Sequence, residues 1–242
     1  MYAIETKALT KKYGGLTAVD SLDLKINAGE IFCLAGVNGA GKSTTVGMLS
    51  CLVRPTDGDA LVFGHSVRRE GGEVKKIIGL CPQQTATAPQ LSVKENLELM
   101  CALHGIRGGQ RRTTVADTLE RLSLTDVAGK KSGRLSGGYC RRLSIAMALI
   151  NSPRVLFLDE PTIGLDVIAR AELWEALKAL NGSATVIFTT HYMEEAEHLA
   201  DRIGIMKGGR MAAAGSAEEL KKLTGKGKFE DAFISIVTEE KK

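Results

Sequence analysis

Ile31-Phe-Cys-Leu-Ala35-Gly36-Val37-Asn38-Gly39-Ala40-Gly41-Lys42-Ser43-Thr44 is the stretch from which the rest of the chain is read. Its first five residues form a continuous apolar run, as in strands buried on both faces of a parallel sheet. The next nine fit the pattern G-x-x-x-x-G-K-S/T. Glycines in such a loop let the backbone wrap so that successive N–H groups point inward at phosphate oxygens. A helix predicted from about Lys42 to Val53, stopped by Pro55, directs its positive end at the same anions. Lys42 is placed to bridge the β- and γ-phosphates of a nucleoside triphosphate, and the Ser43 hydroxyl to ligate Mg²⁺. A glycine turn beside an incidental lysine is the plainer alternative, but strand, loop and helix occur here in the order the pattern needs.

On the N-terminal side, Ala3 to Leu9 and Leu16 to Ile26 alternate apolar and polar residues, the period of half-buried strands. Leu22, Leu24 and Ile26 share one face of the second, and Asn27-Ala28-Gly29 turns the chain into the buried run. On the C-terminal side, Asp57-Gly58-Asp59 is a turn and Ala60 to Phe63 a short strand. From about Ser92 to Ile150 the pattern becomes helical. Ser92-Val-Lys-Glu95 has the form of a capping box, in which each side chain satisfies a free backbone N–H at the helix start. Helical periods continue through Leu103, over Val115 to Leu122 and over Gly138 to Ile150. Strands then alternate with helices: strand Val155–Leu158, helix Ala169–Leu180, strand Thr185–Thr189, helix Met193–Ala200, strand Ile203–Met206. Ser216-Ala-Glu-Glu219 opens a last capped helix. The fold class is α/β, a parallel-sheet core interrupted by a helical insertion.

Val155-Leu-Phe-Leu-Asp159-Glu160 is an apolar strand that ends in two carboxylates. Ligands of parallel sheets lie beyond the carboxyl ends of the strands. Asp159 is therefore expected near the Mg²⁺ held by Ser43, and Glu160 near the γ-phosphate, where a carboxylate can deprotonate an attacking water. Thr189-Thr190-His191 ends another buried strand at the same edge. A metal site is the rival for His191, because His191, Glu195 and His198 fall at i, i+4 and i+7 of a helix. Against it, His191 precedes the predicted helix, and Glu194 and Glu197 read as a solvated face.

Composition narrows the class. The 242 residues carry 44% apolar and 25% charged residues, with 32 Lys and Arg against 28 Asp and Glu. That balance is ordinary for a globular domain and excludes a collagen-like, disordered or coiled-coil chain. The net charge of +4 is not gathered into a basic face, so a nucleic-acid partner is not expected. Five widely spread cysteines without a Cys-x-x-Cys pair read as buried thiols in a reducing compartment. The first residues lack the form of a signal peptide, and no apolar run reaches the ~18 residues needed to span a bilayer. The expectation is a cytoplasmic chain with no direct membrane insertion.

Leu135-Ser136-Gly137-Gly138 before a helix completes a set: the phosphate loop, Gln83, the Ser-Gly-Gly run, Asp159-Glu160, Gly164-Leu165-Asp166 and His191, in that order. With these motifs the chain closely resembles, over essentially its whole length, the ATP-binding cassette of an ABC transporter. The resemblance implies a P-loop NTPase core with a mainly parallel sheet, an N-terminal antiparallel β subdomain and an inserted helical subdomain. Residues 1–91 and 152–224 would form the core, 92–151 the helical part, and 225–242 a C-terminal tail. It also implies roles. Tyr13 stacks on adenine, Gly36 to Thr44 cradle the phosphates, and Gln83 contacts Mg²⁺ and senses the γ-phosphate. Asp159 supports Mg²⁺, Glu160 is the catalytic base, and His191 holds the γ-phosphate and the attacking water. Ser136, Gly137 and Gly138 close over ATP bound to a second cassette in a homodimer or a heterodimer, and Asp166 communicates across that interface. An integral-membrane permease would hold the pair on the cytoplasmic face of the membrane, docking at Gln83 to Leu103.

Physical reading agrees with the pairing. A second helix start with free N–H groups, carried away from the first loop, suits one nucleotide held between two chains. Tyr139 stands where Gln is usual and Ile163 where Ser is usual. Tyr139-Cys-Arg141-Arg142, the run Glu160 to Asp166 and the tail Phe229 to Phe233 look most like the exporter branch that moves drugs, lipids or polysaccharides. The alternative is a soluble ATPase of this type acting on ribosomes or DNA. Such proteins generally join two cassettes in one chain or carry a long coiled coil, and this sequence has one cassette and no heptad run.

Overall fold

The computed structural model describes residues 1–238; residues 239–242, the end of the expected tail, lie outside it. The chain opens with β1 (Tyr2–Tyr13), β2 (Leu16–Leu22) and β3 (Lys25–Asn27). Both later strands run antiparallel to β1, with Leu9 opposite Leu22 on one half and Glu5 opposite Lys25 on the other. The single strand expected over Leu16–Ile26 is therefore two strands. Ser21 takes φ +48 before the break. Thr6 bridges it, its Oγ1 donating to the Leu22 carbonyl at 2.7 Å and accepting from the Leu24 N–H at 2.8 Å. Leu22, Leu24 and Ile26 are all buried, as their alternation requires.

β4 (Ile31–Gly36) leads through the glycine loop into α1 (Lys42–Leu49). This helix ends short of Val53 because Cys51 turns the chain through φ +59, before Pro55 is reached. β5 (Asp57–Val62) and β6 (His65–Ser66) extend the antiparallel sheet of β1. Next come α2 (Gly71–Ile77) and β7 (Ile78–Cys81), which follow one another with no linker. The helices α3 (Val93–Leu103), α4 (Gly108–Arg121) and α5 (Gly137–Leu149) precede β8 (Val155–Asp159). The remainder is α6 (Val167–Lys178), β9 (Thr185–Thr190), α7 (Met193–Leu199), β10 (Arg202–Lys207), β11 (Arg210–Gly215), α8 (Ala217–Thr224) and α9 (Phe229–Thr238).

The second sheet has the order β11-β10-β4-β9-β8-β7, parallel except for the edge strand β11. Successive side chains of a strand point to opposite faces, and here each face has its own core. Ile31, Cys33 and Ala35 of β4, Leu156 and Leu158 of β8, and Val186 and Phe188 of β9 pack beneath helices α3 to α9. Phe32, Leu34, Val155, Phe157 and Ile187 pack with α1 and the antiparallel sheet. Burial on both sides is why these strands are unbroken apolar runs. The parallel register also brings the carboxyl ends of β4, β8 and β9 to one edge.

Candidate active site

The loop from Gly36 to Lys42 leaves that edge. Two of its glycines are required by space. A Cβ on Gly36 would lie 2.7 Å from the Met206 carbonyl oxygen, and one on Gly41, at φ +103, would lie 2.5 Å from that of Ala18. The backbone is thus pressed against β10 and β2, and the Ala40 N–H bonds back to the Val37 carbonyl at 3.1 Å. Ala40 is buried, whereas Val37, Asn38 and Gly39 face outward. Gly41 caps α1 with no side-chain bond, so the first N–H groups of the helix, from Lys42, Ser43 and Thr44 onward, point out of the loop.

Lys42, only 6% exposed, donates from Nζ to the Gly36 carbonyl at 2.7 Å and the Val37 carbonyl at 3.3 Å. Its Nζ is 4.0 Å from Glu160 Oε1. Burial pulls its amine below the ordinary lysine range, while the charges of Glu160 and Asp159 oppose that shift. Ser43 Oγ donates to Asp159 Oδ1 at 3.1 Å. The same oxygen accepts from Thr189 Oγ1 at 2.5 Å, and Thr189 Oγ1 accepts from the Glu160 N–H at 3.0 Å. Glu160 is 7% exposed and takes φ +49, which directs its side chain back over the strand ends. Its Oε2 is 2.9 Å from His191 Nδ1. Loop, both carboxylates and imidazole therefore meet as their positions in the sequence suggested.

Gln83 lies two residues beyond β7, beside β8, with its side chain exposed. Tyr13 is at the exposed end of β1, with Lys11 Nζ 4.8 Å from its ring centre. Ser136 starts α5, and among the described residues no hydrogen bond joins Ser136, Gly137 or Gly138 to the 36–44 loop. Ser92, Ser136 and Ser216 share nearly one N-cap backbone geometry, φ about −65° and ψ about 160°. Ser92 and Ser216 close capping boxes with Glu95 and Glu219, but Ser136 makes no capping bond. Tyr139 stands where the box would need Glu, and it lies under the Arg142 guanidinium instead. Among the described residues, the start of α5 is left without a side-chain cap. Asp166 caps α6, accepting from the Ala169 N–H at 2.8 Å.

The metal alternative fails on geometry. His191 precedes α7, Glu195 is buried, and His198 packs on Trp174 with ring centres 4.7 Å apart. Two contributors were not legible in the sequence. Thr189 faces Asp159 across the parallel pairing, which only the strand register reveals. Arg141, buried in α5, reaches the backbone just beyond β7 and at the end of β8, and its motif position carries no signal of that.

Mg²⁺ fits the donor set, because a hydroxyl and a carboxylate 3.1 Å apart are hard oxygens of the kind it takes beside phosphates. A family model described as "ABC transporter" matches residues 19–163. The daunorubicin resistance ATP-binding protein DrrA3 of Streptomyces coeruleorubidus is 45% identical over 92% of this chain and 71% of its own length. The linearmycin resistance ATP-binding protein LnrL of Bacillus subtilis (strain 168) is 40% identical over 90% of this chain and 70% of its own length. Among solved structures, the ATP-binding cassette MJ0796, a dimer in a post-hydrolysis state bound to ADP and Pi, superposes with a TM-score of 0.79. It is 31% identical, covering 88% of this chain and 98% of that one. The chain belongs to the ABC transporter family and is the ATP-binding and ATP-hydrolysing subunit of one such transporter.

Proposed function

We propose that two cassettes pair head-to-tail on ATP and drive export of a drug-like compound through a separate membrane subunit. The observation that carries this reading is the meeting of Lys42, Ser43, Asp159, Glu160 and His191 at one sheet edge, while the start of α5 is left without a side-chain cap. The backbone N–H groups of residues 36–44 and the Lys42 amine bind the β- and γ-phosphates, and Tyr13 stacks on adenine. Ser43, Asp159 and the Gln83 side chain hold Mg²⁺, which when bound neutralises charge on the transferring phosphoryl group. Glu160 accepts the proton of the attacking water, and His191 keeps that carboxylate turned toward it while contacting the γ-phosphate. Thr189 holds Asp159 and the Glu160 backbone in register. The partner's Ser136, Gly137 and Gly138 complete the phosphate site. In this reading residues 92–151 act as a helical unit on a core made of 1–91 and 152–224.

The names of the resistance-protein relatives support an exporter, and cargo recognition belongs to the permease. Among the described residues no helix is long and apolar enough to cross a membrane, so the cassette reaches the cytoplasmic face by docking. A cleft of about 220 Å³ between β7, α3 and α5, lined by Leu80, Pro82, Met100 and Met147, opens beside Gln83. In this reading a short helix of the permease docks over its mouth. Glu160→Gln tests the core of the scheme. It should retain ATP binding yet lose hydrolysis by about 10²-fold or more, the size of a general-base contribution. Turnover near that of the native chain would remove Glu160 from the mechanism.

A further inference from the structure

Arg141 is 3% exposed, and among the described residues its hydrogen-bond partners are all backbone carbonyls. Nε donates to the Pro161 carbonyl at 2.9 Å. Nη1 donates to those of Pro82 at 2.6 Å and Gln83 at 3.2 Å. Nη2 donates to those of Asp159 at 2.6 Å and Glu160 at 3.1 Å. A guanidinium has five N–H donors in a fixed planar fork. All five are spent on backbone oxygens, two from the loop after β7 and three consecutive ones from the end of β8.

Three consecutive carbonyls face one point here as the chain passes through the left-handed turn at Glu160. The cation therefore stabilises the very backbone conformation that aims the Glu160 carboxylate. Arg141 itself lies one turn into α5, the helix that begins at Ser136. A displacement of α5 pulls on the backbone of Gln83 and Glu160 together. Lysine cannot substitute, because its donors share a single atom and cannot span two loops.

We infer that Arg141 is a positioning residue for hydrolysis, locking the backbone of Glu160 and of the Gln83 loop to the Ser136 helix so that Glu160 is set only when α5 is seated. The inference rests on Glu160 being the base.

The test is a double-mutant cycle in the full chain, at a protein concentration where specific activity has levelled off. Arg141→Gln and Arg141→Lys are made alone and with Glu160→Gln, measuring kcat, affinity for a fluorescent ATP analogue, and Tm. Arg141→Gln is expected to lower kcat about tenfold or more with affinity changed less than about threefold, a split that marks a group acting on the chemical step. Arg141→Lys is expected to recover little. In the Glu160→Gln background, Arg141→Gln should change the residual rate less than about twofold, since residues acting through one another are not additive. The inference is overturned by a kcat near native, by parallel losses of kcat and affinity, by multiplied losses in the double variant, or by failure of both single variants to fold. Native chain that hydrolyses at the Glu160→Gln rate would instead sink the assignment of the base, and the two failures are told apart by that control.

Discussion

A left-handed backbone costs a non-glycine residue of order 1–3 kcal/mol, and such strain persists where the surroundings over-determine it. Glu160 meets that condition. Its N–H is held by Thr189, its carbonyl by Arg141, and its carboxylate by His191. A second buried acid lies behind it. Glu195 is 1% exposed, and among the described residues neither of its carboxyl oxygens has a hydrogen-bond partner in good geometry. Burial pushes its carboxyl above the ordinary value of 4.5, against smaller opposing effects of Thr190, Thr162 and Trp174. The folded chain therefore binds a proton that the unfolded chain releases. The associated stability is complete below pH 4.5 and lost as pH rises through the raised value. Glu195→Gln, neutral throughout, is expected to melt above the native chain at neutral pH and to converge with it in acid. Parallel Tm curves from acid to neutral pH would refute this.

Between elements, the three N-cap serines make a controlled comparison. Ser92→Ala removes a capping box at α3 and should cost about 1 kcal/mol in urea unfolding. Ser136→Ala removes no capping bond, so stability should hold while ATPase activity falls. A stability loss equal to that of Ser92→Ala would assign Ser136 to the helix rather than to nucleotide. Both boxes were legible because their residues lie within one turn of each other. The β4–loop–α1 unit was legible for the same reason, its strand, glycines and lysine being contiguous. α2 and β7 left no comparable mark. Helix passes to strand between Ile77 and Ile78 without turn residues, so neither period is completed. β11 is built on Met211-Ala-Ala-Ala214, residues of poor strand propensity that pair because β10 is beside them. The end of α1 depends on Cys51 in a positive-φ turn, a conformation its residue type does not announce.

For the molecule as a whole, the proposed head-to-tail pairing makes activity depend on a second chain. If the partner's Ser136 completes the site of each Lys42, specific activity of the isolated chain should rise with protein concentration. Lys42→Ala and Ser136→Arg, each inactive alone, should regain part of the activity when mixed, because one site of the mixed dimer carries neither change. Constant specific activity from a proven monomer would show that one chain suffices. Most of the candidate site could be read from motifs, since strand ends at one sheet edge bring sequence-distant residues together by a simple rule. Thr189 and Arg141 could not, because their parts depend on register and on the depth of a side chain.

The central strand β4 also orders events during synthesis. Its neighbours are β9 and β10, so Cys33 waits for Phe188 on one side and Ile203 on the other. Until those residues have left the ribosome, the Gly36–Lys42 loop hangs from a strand with two bare edges and no Met206 carbonyl to press against. Nucleotide is therefore not expected to template the nascent chain from its N-terminal end. The binding loop is complete only once β10, the last parallel strand, has paired with β4, the first.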